Sequence, residues 1–147
     1  MNRKMVLFLL GRVLLTEAIL MLMPCLVAAI YRESSVGAFF PDIFIALALG
    51  VIFSAKRPAN HVYYAKEGFI TVALSWILIS AVGALPFYIS GEIPSYTDSL
   101  FEMVSGFTTT GASILKNVEA LLKCMLFWSC FSHWIGGMGV LVFLLAI

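Results

Sequence analysis

Charge is scarce in this chain. Asp, Glu, Lys and Arg make up 12% of its 147 residues, about half the share of an ordinary soluble domain. With 62% hydrophobic residues and a mean hydropathy of +1.04, a water-soluble globular domain is excluded. Neither sign of charge dominates, because nine basic and eight acidic residues leave a net charge of +1; nucleic acid is therefore not an expected partner. Histidine and cysteine are also few. His61 and His133 are separated by a whole apolar run, and Cys25, Cys124 and Cys130 each lie among apolar neighbours. These read as small core residues, and they assemble neither a disulfide framework nor a metal cluster nor a nucleophilic catalytic set. A glycine-rich phosphate loop between a strand and a helix is also lacking. No enzymatic activity and no cofactor are expected.

Long apolar runs are what the chain has. A helix crossing a bilayer needs roughly 20 mostly apolar residues. Four runs approach that: 5–31, interrupted by Arg12 and Glu17; 39–55, barely long enough; 68–90, without any charge; and 124–147, with His133 as its one ionisable group. The expected fold is an all-α integral membrane protein, with two N-terminal transmembrane helices in 1–60 and a helix–loop–helix unit in 61–147. A secretory signal peptide at the start is disfavoured by the length of the first run, its internal charges and the lack of a clear cleavage site before Tyr31. Arg3, Lys4, Lys56, Arg57 and Lys66 flank one side of the spans, against Arg32, Lys116 and Lys123 on the other. By the positive-inside rule the N-terminus and the 55–67 loop are cytoplasmic, and 91–123 faces outward.

The segment 91–123 is too long for a tight turn and too apolar for an ordinary outer loop. Ser95 or Thr97 can cap a short helix over 97–107, with Asp98 in its first turn. Leu100, Phe101, Met103, Val104 and Phe107 give it an apolar surface, and Gly106 sits near its end, where helices commonly stop. Thr108-Thr109-Thr110-Gly111-Ala112-Ser113 follows; its β-branched residues disfavour helix, and Gly111 permits unusual backbone angles. This is the layout of a re-entrant pore loop, in which a strand over 108–113 returns to the surface. Such backbone survives at membrane depth only when it is buried in protein or lines water. A dehydrated alkali cation needs oxygen ligands, and stacked carbonyls of a Thr/Gly strand supply them.

At these residues the sequence resembles a known family, the TrkH-type potassium-translocating membrane subunit of the bacterial Trk/Ktr/HKT transporters. The matching strings are Lys66-Glu67-Gly68-Phe69, Gly83-Ala84-Leu85-Pro86-Phe87, Ser95-Tyr96-Thr97-Asp98-Ser99-Leu100-Phe101-Glu102, Ser105-Gly106-Phe107-Thr108-Thr109-Thr110-Gly111-Ala112 and Trp134-Ile135-Gly136-Gly137-Met138-Gly139. The resemblance implies four helix–pore loop–helix units around one pore, of which this chain carries the first. It implies that K+ is coordinated by backbone carbonyls of Thr109 and Thr110 together with Gly111, with Thr108 and Ala112 flanking. It also implies a bacterial cytoplasmic (inner) membrane location, the other pore-forming units as partners, and a cytoplasmic nucleotide-binding regulator of the TrkA kind. The single pore loop and the end of the chain within an apolar run lead us to expect a truncated product. The competing expectation is a non-conducting membrane fragment or a small homo-oligomeric cation channel. A secondary transporter with broken helices would need paired inverted segments, which this length does not contain.

Other residues admit two readings each. Arg12 and Glu17 are five apart on the first run, so a tight mutual pair is disfavoured. Arg12 is expected at the headgroups and Glu17 against a neighbouring helix. His133 is expected to be a hydrogen-bonded packing residue. Gly136, Gly137 and Gly139 suit either a hinge or close packing. Pro24 and Pro86 are expected to kink or end their helices. Glu102 could concentrate cations at the outer mouth or brace the Thr/Gly strand from behind.

Overall fold

The computed structural model describes residues 3–55 and 65–146, so the expectations placed on Lys56, Arg57 and His61 lie outside the described residues. The described fold is helical throughout, in the order α1 (Arg3–Leu20), α2 (Leu22–Tyr31), α3 (Val36–Ser54), α4 (Ala65–Gly83), α5 (Leu85–Ser90), α6 (Tyr96–Phe107) and α7 (Lys123–Ala146), with a 3-10 turn at Val118–Ala120. Among the described residues, three stretches are long and apolar enough to cross a membrane: Arg3–Tyr31, Val36–Ser54 and Lys66–Ser90. Helix α7, with 24 residues, is about 36 Å long at the usual helical rise.

Two of these stretches are broken, and proline explains both breaks. The interruption at Met21 precedes Pro24, and the one at Ala84 precedes Pro86. A proline has no N–H for the carbonyl four residues back and crowds that carbonyl with its ring. The expected first and third spans are thus each a pair of helical pieces rather than one rod. The second break is put to use, because the buried Trp128 on α7 donates its indole N–H to the Gly83 carbonyl at 3.0 Å.

Lipid supplies no hydrophobic force between helices, so close packing has to hold them together. The most extensive contact joins α1 to α3. A Cβ on Gly11 would sit 2.8 Å from the Gly50 carbonyl oxygen, and one on Gly50 would sit 3.1 Å from the Gly11 oxygen. The two backbones touch where side chains are absent. Large apolar side chains point outward instead, including Ile30 at 77% exposure and Phe44 at 73%. Water would penalise such a surface, whereas lipid or another protein unit accepts it.

The N-terminus of α7 is capped from far away in sequence. The Glu33 carboxylate accepts the backbone N–H of Lys123 at 2.7 Å and of Cys124 at 3.0 Å. A carboxylate there satisfies two otherwise free donors and meets the positive end of the helix dipole. Partial desolvation pushes the Glu33 carboxyl up. Hydrogen bonds from the Cys124 thiol and amide and the Lys123 amide, with the Lys123 charge, outweigh this and hold it below its ordinary value. A lowered folded-state value means that the contribution to stability is complete above the unfolded value and is lost as pH falls through the folded one. The protection factors of the Lys123 and Cys124 amides, taken relative to intrinsic exchange at each pH, should therefore fall a fewfold on acidification through that window, a modest effect because the carboxylate is solvated. Glu33→Gln should remove the pH dependence; protection that stays constant across the window in the wild type would refute the capping role.

Candidate functional site

Helix α6 begins one residue earlier than expected. Ser95 occupies the N-cap position in extended conformation, but its side chain makes no capping bond. Its carbonyl accepts both the Ser99 amide at 3.0 Å and the Ser99 hydroxyl at 3.1 Å. The buried face of α6 mixes polar and apolar residues. Ser99, Glu102, Met103, Ser105, Gly106 and Phe107 face inward, whereas Phe101 and Val104 are 48% and 40% exposed. In a lipid-bathed protein, polar groups turn toward the partners that only the protein interior holds.

Gly106 lies in the last turn of the helix, near its end as expected, and a Cβ there would collide with the Ser132 hydroxyl of α7. Gly136 on α7 is the reciprocal feature, where a Cβ would fall on the carbonyl oxygen of Phe107 and 2.9 Å from its Cα. Gly137 faces the methyl of Thr109, with 3.9 Å from a would-be Cβ to Cγ2. Helix α7 runs unbroken through all three of its glycines, so they serve close packing rather than a hinge. They let the C-terminal end of α6 sit directly on α7.

The end of α6 is a Schellman closure. Thr109 N–H bonds the Gly106 carbonyl and Thr110 N–H bonds the Ser105 carbonyl, both at 2.9 Å. This motif needs a left-handed residue, usually glycine. Here Thr109 fills it at φ 56°, a conformation that costs a β-branched residue on the order of 1–3 kcal/mol. Gly111 follows at φ 75° and bears the second left-handed turn without that strain. Between them and Ser113 the backbone is neither helical nor laddered. Thr108 Oγ1 donates to the Val104 carbonyl at 2.6 Å and pairs with Thr110 Oγ1 at 2.8 Å; Thr109 Oγ1 donates to the Thr108 carbonyl at 2.7 Å. The threonine hydroxyls are thus spent on local bonds. Among the described residues, the carbonyls of Thr109, Thr110, Gly111 and Ala112 accept no hydrogen bond, and residues 108–114 are exposed.

The far end of the segment is pinned by Glu102. Its buried carboxylate accepts the Ser113 hydroxyl at 3.0 and 3.2 Å, the Ile114 N–H at 3.2 Å and the Ser129 hydroxyl of α7 at 3.4 Å. Of the two readings of Glu102, the brace behind the segment is the one realised. His133 donates its Nδ1–H to the Ser129 carbonyl at 2.9 Å, as a packing residue would. Arg12 is exposed and Glu17 buried, so they do not pair. Cys130 is exposed rather than a core residue. Sequence reasoning missed the roles of Glu33 and Thr109. Glu33 acts across 90 residues, which no local pattern marks; the signal for Thr109 was its position two residues past the last helical residue, where glycine would be usual.

The family model for TrkH, a cation transport protein, matches residues 36–147. An uncharacterized cation transporter of Methanocaldococcus jannaschii is 37% identical over 138 residues, covering 93% of this chain and 29% of the relative. The Trk system potassium uptake protein TrkH of Escherichia coli is 42% identical over 130 residues, covering 86% of this chain and 27% of the relative. The crystal structure of the potassium transporter TrkH from Vibrio parahaemolyticus superposes with a TM-score of 0.92 at 34% identity, over 99% of this chain and 32% of that one. The chain therefore spans about three-tenths of the length of these relatives. Its apolar spans and this kinship make it a multi-pass membrane protein. The chain belongs to the TrkH family of cation transport proteins.

Proposed function

We propose that this chain forms one wall of a potassium path across the bacterial cytoplasmic membrane, with its N-terminus on the cytoplasmic side. The backbone carbonyls of Thr109, Thr110 and Gly111 line the path, with Thr108 and Ala112 flanking. Residues 108–113 act as the filter strand and α6 as the pore helix. One observation carries this reading: an exposed, non-helical segment with unbonded carbonyls is held at both ends, by the Schellman closure on α6 and by Glu102. The negative C-terminal end of α6 favours a cation at the same place. The potassium uptake proteins among the relatives agree with this cargo.

A single wall does not enclose an ion. Three further units complete the pore, and membrane lipid or those units cover the exposed apolar side chains. A cytoplasmic nucleotide-binding subunit of the TrkA kind is the proposed regulator. K+ is cargo, and neither a cofactor nor an enzymatic step enters.

The test is Gly111→Ser in a full-length transporter carrying this sequence. A side chain at φ 75° is strained, so the Gly111 carbonyl should shift. The K+ over Na+ flux ratio should fall roughly tenfold, equivalent to about 1.4 kcal/mol of lost discrimination. An unchanged ratio would overturn the assignment.

A further inference from the structure

Two acidic side chains lie in the membrane outside the Thr/Gly segment and its brace. Glu17 is near the middle of the 29-residue stretch Arg3–Tyr31, and Asp42 is on α3. Glu17 is 5% exposed and Asp42 is fully buried. All four of their carboxyl oxygens lack a hydrogen-bond partner among the described residues. The two groups lie within electrostatic reach of one another. Glu17 Oε1 also approaches the α4–α5 break, 3.2 Å from where a Cβ on Gly83 would lie; Met103 and Phe107 of α6 close the same spot. Glu17 lines a cavity of about 170 Å³ with Val13, Thr16, Leu20, Ile79, Phe107 and Ile135.

Two such groups cannot both stay ionised. An unpaired buried charge costs several kcal/mol, and two like charges in one site add to that. Something must neutralise them. An arginine or lysine from another unit would have to reach carboxyl oxygens that this chain's own atoms already cover. An alkali ion would need five or six oxygens, whereas the cavity is lined mainly by aliphatic and aromatic side chains. A proton adds no bulk to the site and requires no cage of oxygen ligands. We propose that Glu17 and Asp42 form a proton-binding pair buried in the membrane behind α6.

The surrounding ionisable groups leave the pair to itself. Tyr96 of α6 lies within reach of Asp42 and donates its phenol O–H to the Ala81 carbonyl at 2.8 Å. Tyr88 of α5 packs edge-on against Tyr96. Glu102 is engaged with Ser113 and Ile114. Cys25 of α2 is a half-buried free thiol. Arg12 is exposed. Lys66 and Glu67 sit at the other end of α4, about 24 Å from Gly83 along the helix. None of these is a cation seated against the pair.

The test is infrared spectroscopy of the full-length protein in liposomes, titrated with acid and base in light and heavy water. The wild type should show carbonyl absorption of at least one protonated carboxyl per chain at neutral pH, shifted in heavy water. That absorption should be missing from the Glu17→Gln, Asp42→Asn double variant and indifferent to replacing K+ or Na+ by choline. The isosteric amides preserve shape, and the wild-type titration stands without any variant. No protonated carboxyl at neutral pH would overturn the proposal. So would carboxylate bands that move when K+ or Na+ is exchanged for choline, because that identifies a metal ion as the occupant. Neither failure touches the Gly111 assignment, which is read from flux.

Discussion

Gly136→Ala in the full-length chain should cut potassium transport at least tenfold and destabilise the fold by about 1–3 kcal/mol, as overpacking does. The new methyl would meet backbone rather than a movable side chain. The Phe107 carbonyl carbon would be 2.7 Å away and its Cα 2.9 Å. The last turn of α6 cannot rotate aside, because Thr109 and Thr110 are bonded to its carbonyls. The end of α6 must lift off α7 and take the segment 108–113 with it. Gly137→Ala supplies the control, because its Cβ would make an ordinary contact of 3.9 Å with the Thr109 methyl. It should leave melting temperature and folding nearly unchanged. Wild-type transport and melting temperature in Gly136→Ala would refute the seat between α6 and α7.

Glu102→Ala is the second large effect. It strips the acceptor from the Ser113 hydroxyl, the Ile114 amide and the Ser129 hydroxyl at once. Donors left without partners cost about 1–3 kcal/mol each where they are buried, and the exposed end of the segment recovers part of that in water. A net loss of about 3 kcal/mol is expected, with a fall in K+ over Na+ discrimination as the strand loses its far anchor. Glu102→Gln keeps one acceptor oxygen and should lie between the two. Unaltered thermal stability and ion preference in Glu102→Ala would show that the carboxylate does not brace the segment.

The extent to which the site was legible follows from the range of the forces. Apolar run length and the Thr/Gly string are local, and they marked the membrane class and the non-helical segment before any coordinates. Pro24 and Pro86 act within one turn, so their breaks were foreseeable. The apolar residues of α6 did not by themselves mark its buried face, because the usual rule, apolar inside, presumes water outside. With lipid outside, Ser99, Ser105 and Glu102 turn in and Phe101 and Val104 turn out. Gly106 was legible as a residue near the helix end, but its close approach to Ser132 was not, because stopping a helix and admitting a neighbour place the same residue there.

By itself the sequence determined what depends on neighbours along the chain: membrane-spanning composition, the proline breaks, and a Thr108–Ser113 stretch unable to continue a helix. Only the tertiary structure decided what depends on residues brought together from a distance. Glu33 reaches the start of α7, Glu102 braces Ser113, Gly136 receives Phe107, and Glu17 comes within electrostatic reach of Asp42. The physical reason is that hydrogen bonds, steric contact and charge act through space over a few ångströms. Tens of residues of intervening chain carry no trace of which pairs will meet.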